Sequence, residues 1–286
     1  TPLKTRQSNS MTAVTRFAPS PTGNLHLGHA FSALFAEAQG TRFLVRIEDI
    51  DTSRCQPEFV STILDDLAWL GLIWETPVRQ QSAHMDYYAD ALNLLAARDL
   101  LYPCFCTRSD IHAEIIAAGH APHGPEGQIY PGTCRKLSST ECDKRLAIGT
   151  PHALRLKMDE AIAATGRLTW YDVEAGPQKA LPEIFGDVVL ARKDTPTSYH
   201  LAVTVDDYLQ GVTLVTRGQD LFEASHVHRL LQALLGYEPP AYNHHKLLTD
   251  AQGKRFAKRD KAQTLQSLRA AGHTPADVLA MVGWEA

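Results

Sequence analysis

The feature that most constrains the fold is the alternation of strand and helix at the start of the chain. Residues 12–17 alternate between apolar and polar side chains as a strand does, and Pro19 and Pro21 then impose an extended turn. A helix is expected to begin near residues 26–28 and to run to Gly40, a suitable terminator. The chain therefore leaves its first strand through a proline-rich turn directly into a helix.

A second strand and a second helix repeat this pattern. Residues 43–47 form a compact apolar strand, and Pro57 opens a helix that ends at Gly71. Strands are also expected over residues 187–191, 200–205 and 212–216, followed by a helix over residues 223–235. The alternation predicts an α/β fold, a Rossmann-like doubly wound parallel sheet with an inserted subdomain and a short helical C-terminal part.

Composition narrows the functional class. The chain has 286 residues, 44% hydrophobic and 21% charged, which is typical of a globular protein, and no apolar run is long enough for a membrane span. The net charge of −4 means that any nucleic acid would have to bind to a local basic face. An odd count of five cysteines without a secretory signal favours a reducing cytoplasm.

The segment His26-Leu27-Gly28-His29 suggests phosphate chemistry. It lies where a strand gives way to a helix, so the helix N-terminus offers N–H groups to an anion. Gly28 allows a flat ring to approach the backbone, and both imidazoles can donate to phosphate oxygens as charge develops on an α-phosphate. For this motif alone, two surface histidines at a helix start remain an alternative.

Several motifs in order identify a family. The stretches RFAPSPTG, HLGH, RIEDID, LAWLGL, YHLAVTVDD and TRGQDL together resemble the catalytic core of glutamyl-tRNA synthetases, which are class I aminoacyl-tRNA synthetases. The resemblance covers residues 16–258. It implies that the chain binds ATP and L-glutamate and activates glutamate as an acyl-adenylate.

The resemblance also implies a glutamate pocket. The matching positions are Arg16, Ala18, Ser20, Glu48, Tyr199 and Arg217. A guanidinium fits a carboxylate in charge and shape, so Arg16 and Arg217 suit the two substrate carboxylates. Glu48 would accept the substrate ammonium and Tyr199 would bind the side-chain carboxylate. A structural ion pair for Arg16 and Glu48, and a core position for Tyr199, are the alternatives.

A basic loop stands where the family has its KMSKS motif. Lys258 matches the second lysine of that motif, whereas Arg255 and Ala257 replace its first lysine and its serine. Lys258 can neutralise the leaving pyrophosphate together with Mg²⁺. The catalytic and ATP-binding set is therefore expected to be His26, Gly28, His29 and Lys258, and a solvated basic loop is the alternative for residues 253–259.

A cysteine cluster predicts a structural Zn²⁺. Cys104 and Cys106 can share one ion, and Cys134 supplies a third thiolate. In the family the pattern C-x-C…Y-x-x-x-C makes Tyr130 the fourth ligand, while His120, His123 and Cys142 remain alternatives.

The sequence predicts a division of the chain into a tail, a catalytic domain with an insertion, and a C-terminal part. Residues 1–11 are expected to be a mobile tail, 12–103 and 187–240 the two halves of the catalytic domain, and 104–186 an inserted acceptor and zinc subdomain. Residues 241–286 are expected to hold the basic loop and short helices, and no anticodon-binding domain is expected.

The chain resembles a truncated paralogue in this family. That resemblance implies transfer of glutamate to queuosine at the wobble position of tRNA(Asp). The expected partners are thus ATP, L-glutamate and the queuosine-carrying anticodon loop of tRNA(Asp), bound by a cytoplasmic monomer. Charging of a tRNA 3′ end, or tRNA binding without catalysis, are the alternatives.

Overall fold

The computed structural model describes residues 12–117, 123–248 and 263–284. In that part of the chain, strands lie at Val14–Phe17 (β1), Arg42–Ile47 (β2), Glu75–Gln80 (β3), Leu101–Cys104 (β4), His123–Gly124 (β5), Gly127–Gln128 (β6), Ala153–Leu156 (β7), Thr169–Asp172 (β8), Gly176–Lys179 (β9), Val189–Ala191 (β10), Leu214–Gly218 (β11) and Ala241–His245 (β12). Helices lie at Leu27–Gln39 (α1), Pro57–Trp69 (α2), Met85–Ala97 (α3), Arg108–Ala117 (α4), Ser139–Ala147 (α5), Met158–Thr165 (α6), Tyr199–Leu209 (α7), Ala224–Leu235 (α8), Leu265–Ala270 (α9) and Pro275–Met281 (α10).

Parallel strands form the centre of the molecule. β2 pairs in parallel with both β1 and β3, and β12 pairs in parallel with both β11 and β8. The amide of Thr213 donates to the carbonyl of Val14 at 3.0 Å, so the two sets of strands meet where β11 lies beside β1. The chain moves outward in opposite directions from this point, which opens a crevice there. The expected α/β fold with a parallel sheet is confirmed.

The elements expected at the start of the chain are confirmed. β1, α1, β2 and α2 lie where the sequence predicts them, and α1 ends before Gly40. Gly40 is extended rather than left-handed, with φ −109°. Its requirement for glycine comes from close approach, because a Cβ there would collide with the side chain of Thr15.

The segment between β3 and α7 builds a separate antiparallel sheet. β7 is its central strand and pairs with β4 and β10. A small hairpin of β5 and β6 lies in the same segment, while β8 and β9 extend the main sheet beside β12. The antiparallel sheet runs from Leu101 to Ala191, so it extends beyond residues 104–186 on both sides.

The strand expected over residues 200–205 is wrong. These residues belong to α7, which is capped by the Ser198 side chain. Every residue from His200 to Asp207 is buried, so the helix has no exposed polar face within this stretch. A short helix buried on all sides has no amphipathic period, and its β-branched residues then resemble a buried strand.

Two hydrophobic clusters hold the helices against the sheet. One joins residues of α3, α6, α7 and α8, and the other joins residues of α1 and α2 with residues of α9 and α10. The expected short helices at the end are confirmed, including the capping box in which Asp277 accepts from the Thr274 amide at 2.7 Å. No helix in the described residues is long and apolar enough to cross a membrane.

Candidate active site

A cavity of about 640 Å³ opens at the carboxyl ends of β1 and β11. This is the crevice where the strand order reverses, the usual ligand site of such sheets. The nine expected catalytic and glutamate-binding residues that fall within the described chain all line it: Arg16, Ala18, Ser20, His26, Gly28, His29, Glu48, Tyr199 and Arg217. Lys258, the tenth, lies outside the described residues, as do Arg255 and Ala257.

The HLGH segment forms a reciprocal cap at the N-terminus of α1. The Gly28 amide donates to Nδ1 of His26 at 3.1 Å, and the His26 amide donates to Nδ1 of His29 at 3.2 Å. Because Nδ1 is the acceptor in both rings, the proton of each neutral imidazole is assigned to Nε2. A Cβ at Gly28 would lie 3.0 Å from the His26 ring, so glycine lets that ring fold back over the helix start.

Arg217 is held by three side-chain acceptors. Its Nε donates to His244 at 3.1 Å, its Nη1 to Nδ1 of His228 at 3.1 Å, and its Nη2 to the hydroxyl of Ser225 at 2.6 Å. A guanidinium has five N–H donors, so two remain for a carboxylate in the cavity. The burial of Arg217 strengthens any such ion pair by excluding water.

Each histidine that accepts from Arg217 is linked to a carboxylate. His228 contacts His200 at 3.2 Å, and His200 contacts Glu126 at 3.1 Å. His244 contacts Asp172 at 2.7 Å. Burial and the charge of Arg217 lower the pKa of His244 to about 4, and they lower the pKa of His228 as well. Both rings therefore stay neutral and can accept from the guanidinium at neutral pH.

Arg16 shares a buried carboxylate with Arg46. Asp207 receives Nε of Arg16 at 2.9 Å and Nη1 of Arg46 at 2.8 Å. Nη1 of Arg16 also donates to the carbonyl of Thr216 at 2.9 Å and its Nη2 donates to Oδ2 of Asp207 at 3.3 Å, so two of its five donors remain. Arg46 in turn donates to Glu48 at 3.2 Å. Arg16 and Glu48, two residues of the expected glutamate pocket, are therefore connected through Asp207 and Arg46.

Burial shifts the pKa values of Glu48 and Tyr199 in the same direction, toward the neutral form of each side chain. Burial raises the pKa of the Glu48 carboxyl, although Arg46 and Arg16 oppose this shift. A substrate ammonium beside Glu48 would favour its anion further. Burial also raises the pKa of the Tyr199 hydroxyl, so it remains a neutral donor toward an anion.

Three cysteines could hold a metal ion. The sulfur atoms of Cys104, Cys106 and Cys134 all lie within 4.8 Å of one another. The Tyr130 hydroxyl lies 3.5 Å from the sulfur of Cys106 and accepts the Cys134 amide at 2.8 Å. The guanidinium carbon of Arg155 lies 3.9 Å from the centre of the Tyr130 ring, while burial and the neighbouring thiols raise the pKa of the Tyr130 hydroxyl. Thiolates at this spacing suit a tetrahedral soft-metal site.

The alternative fourth ligands differ in where they lie. Cys142 packs against the cluster, but its sulfur is not within the group of ligand atoms that converge. His120 and the side chain of His123 lie outside the described part of the chain. The Tyr130 hydroxyl, by contrast, contacts the cluster directly.

The residues that sequence reasoning missed are those that hold the arginines. Arg46 interrupts an otherwise apolar buried strand, and such a charge requires a buried partner, so it carried a usable signal. His228 and His244, which also hold Arg217, are both buried. Nothing local distinguishes them, because their partners are distant in sequence.

Comparison with known proteins shows the family to which the chain belongs. The model described as tRNA synthetases class I (E and Q), catalytic domain, matches residues 12–285, so the chain belongs to that family. The "Glutamyl-Q tRNA(Asp) synthetase" of Rhodobacter capsulatus is 49% identical over 279 residues, covering 94% of this chain and 99% of the relative. The protein of the same name from Symbiobacterium thermophilum is 44% identical, covering 92% of this chain and 83% of the relative.

Solved structures show the same core. The glutamate-tRNA synthetase of Elizabethkingia anophelis superposes with a TM-score of 0.78 at 28% identity, covering 95% of this chain. The chain spans 61% of the length of that structure. The similarity therefore concerns the catalytic core that carries the cavity.

Proposed function

We propose that this protein activates L-glutamate with ATP and transfers it to queuosine at the wobble position of tRNA(Asp). The observation that carries the first step is the meeting of Arg217, Glu48 and the HLGH segment in one cavity. It combines donors for carboxylates, an acceptor for an ammonium, and a helix N-terminus for phosphate. The relatives named glutamyl-Q tRNA(Asp) synthetase, similar over nearly their whole length, support the acceptor.

The residues divide the first step between them. The two remaining donors of Arg217 bind one substrate carboxylate together with the Tyr199 hydroxyl, and Glu48 accepts the ammonium. An oxygen of the other carboxylate of glutamate then attacks the α-phosphorus of ATP, and the bond between that phosphorus and pyrophosphate breaks. His26 and His29 donate from Nε2 to the phosphate oxygens as charge grows there. Mg²⁺ bound to ATP and Lys258 would neutralise the leaving pyrophosphate.

The second step requires only an acceptor placed beside the adenylate. A hydroxyl of the queuosine cyclopentene ring attacks the acyl carbon, the bond to AMP breaks, and the hydroxyl proton is released. The mixed anhydride is already reactive, so positioning supplies most of the acceleration. A reaction on tRNA is consistent with a cytoplasmic protein.

Zn²⁺ suits the cysteine cluster on chemical grounds. Three thiolates and a phenolate would complete four ligands with no open position, so the ion would order the segment around Cys104, Cys106, Tyr130 and Cys134. Its contribution would be to stability, because these residues do not line the cavity that holds the glutamate pocket.

Two matched substrates test the acceptor. Radiolabelled glutamate is offered with ATP to tRNA(Asp) that carries queuosine but lacks its 3′-terminal adenosine, and to intact tRNA(Asp) with guanosine at the wobble position. We expect label on the first and none on the second. The reverse result would mean that the tRNA 3′ end, and not queuosine, is the acceptor of glutamate. Absence of ATP–pyrophosphate exchange with glutamate would overturn activation itself.

A further inference from the structure

The inserted segment reaches across to the glutamate pocket through one buried carboxylate. Asp172 lies at the end of β8, and its Oδ2 contacts Nδ1 of His244 at 2.7 Å. His244, on β12, then contacts Nε of Arg217 at 3.1 Å. The side chains of Asp172 and His244 are only 1% and 2% exposed, so solvent cannot replace either contact. These three residues form a continuous hydrogen-bonded chain, of which Arg217 lines the cavity while His244 and Asp172 do not.

The direction of each hydrogen bond in this chain is fixed by chemistry. Arg217 can only donate, so Nε2 of His244 must be the acceptor and the ring proton must sit on Nδ1. The Nδ1–H then donates to Oδ2 of Asp172. The other oxygen, Oδ1, accepts the amides of Glu174 and Ala175 at 3.0 and 2.8 Å, so the turn after β8 holds the carboxylate in one orientation.

We infer that Asp172 is a positioning residue for glutamate binding, which acts by fixing the His244 tautomer that orients Arg217. The inference rests on the proposed function, since it takes Arg217 to be the glutamate-binding residue. With the Nδ1–H tautomer in place, the Nε–H of Arg217 is committed to His244 and the guanidinium plane is set. The two donors left on its terminal nitrogens are then presented to the cavity.

The opposite tautomer would disrupt this arrangement. A proton on Nε2 of His244 would face the Nε–H of Arg217, and two donors cannot form a hydrogen bond. The guanidinium would have to rotate away, which would also strain its contacts with Ser225 and His228. The same carboxylate logic sets the tautomer of catalytic histidines in hydrolases, where Asp→Asn leaves geometry intact but selects the wrong ring proton.

Asp172→Asn tests this inference because the backbone amides of Glu174 and Ala175 fix the orientation of the side-chain amide. Its oxygen must take the Oδ1 position, where two backbone amides donate, so its NH₂ group faces His244. That NH₂ forces the ring proton onto Nε2. In ATP–pyrophosphate exchange we expect the KM for glutamate to rise by about tenfold or more, while the KM for ATP stays within about twofold of the wild-type value. Asp194→Asn, at an exposed ion pair, is the matched control.

A second substitution separates positioning from folding. In His244→Gln the amide oxygen can stand where Nε2 stood and accept from Arg217 without any help from Asp172. The double variant D172N/H244Q is therefore expected to match H244Q alone, which amounts to rescue of the Asp172→Asn defect. Additive losses would overturn the inference, because they would mean that Asp172 serves packing alone.

Histidine NMR gives a readout that does not depend on activity. The ¹⁵N shifts of His244, identified by their loss in H244Q, are expected to report Nδ1–H in the wild type and Nε2–H in D172N. An unchanged tautomer in D172N would overturn the inference even if wild-type exchange with glutamate is intact. Absence of exchange in the wild type, with the tautomer switch observed, would instead count against the proposed function.

Discussion

Asp207 receives two N–H groups of Arg16, from Nε at 2.9 Å and from Nη2 at 3.3 Å. Asp207 lies on α7, the same helix whose first residue is Tyr199, so one helix supplies a tyrosine that lines the cavity and the anchor for an arginine that lines it. Burial raises the pKa of the Asp207 carboxyl, but Arg16 and Arg46 outweigh this and hold it below its ordinary value. The carboxylate is thus charged throughout the neutral range.

Replacement of Asp207 by Asn should destabilise the fold. The change leaves Arg16 and Arg46 buried with no full negative charge between them, and loss of one partner from such a cluster costs about 3–5 kcal/mol. Urea unfolding at neutral pH measures this. Asp194→Asn, whose ion pair with Arg192 is exposed, should cost about 1 kcal/mol or less. Equal losses in the two variants would contradict a structural role for the buried cluster.

The sequence was sufficient for the parts of the site that depend on local chemistry. Strand, turn and helix around HLGH follow from Pro19, Gly28 and Gly40, and the motif order located Glu48 and Arg217. The partners of the arginines could not be found this way, because Asp207 and His244 are far from them in sequence. α7 was misread for a related reason, since burial on all sides is a tertiary property that leaves no period in the sequence.

His26 has two roles that a single substitution can separate. In His26→Asn the amide oxygen occupies the Nδ1 position and preserves the helix cap, since Asn is a favoured N-cap residue. The donor at the Nε2 position is lost. We expect kcat for adenylate formation to fall by about 10²-fold, the usual effect of removing one transition-state donor, with the free energy of unfolding little changed.

His26→Ala removes the cap as well as the donor. It should add a stability loss of about 1 kcal/mol to the same loss of kcat. ATP–pyrophosphate exchange and urea unfolding of both variants provide the comparison. If His26→Asn retains the wild-type kcat, the residue serves only as a helix cap.

Metal content should follow the cysteine cluster. We expect about one equivalent of Zn²⁺ per chain, as for a site of four ligands, and its loss in Cys106→Ser with a lowered melting temperature. Cys55→Ser, a cysteine outside the cluster, should retain the metal. Elemental analysis together with thermal unfolding decides the matter, and a wild-type protein purified with zinc but containing none would contradict the assignment.

The fourth ligand can be identified with a matched pair. Tyr130→Phe removes the hydroxyl that contacts Cys106, and Cys142→Ser removes the nearby thiol. We expect zinc affinity to fall in Tyr130→Phe, measured by competition with a chelator, and to stay close to wild type in Cys142→Ser. The opposite ranking would transfer the ligand role to Cys142.

Acid should destabilise the fold through His244. Burial, together with the charge of Arg217, lowers the pKa of this ring from 6.5 to about 4, although Asp172 opposes the shift. Between these values the unfolded chain binds a proton that the folded protein excludes, so the free energy of unfolding falls as the pH falls. The full loss is about 3 kcal/mol when the pH reaches 4, from about 1.4 kcal/mol per pKa unit.

Several other buried histidine rings add to this decline of the free energy of unfolding with falling pH. The pKa values of His226, His228 and His245 are also lowered, in each case chiefly by burial, so they too favour the unfolded state as acid is added. His244→Gln removes one titrating group from the sum while leaving the others. Urea unfolding of both proteins from pH 7.5 to 4.5 should therefore give a shallower decline for the variant. Parallel curves would mean that His244 binds its proton equally in the folded and unfolded states, which would contradict its assignment as a neutral acceptor for Arg217.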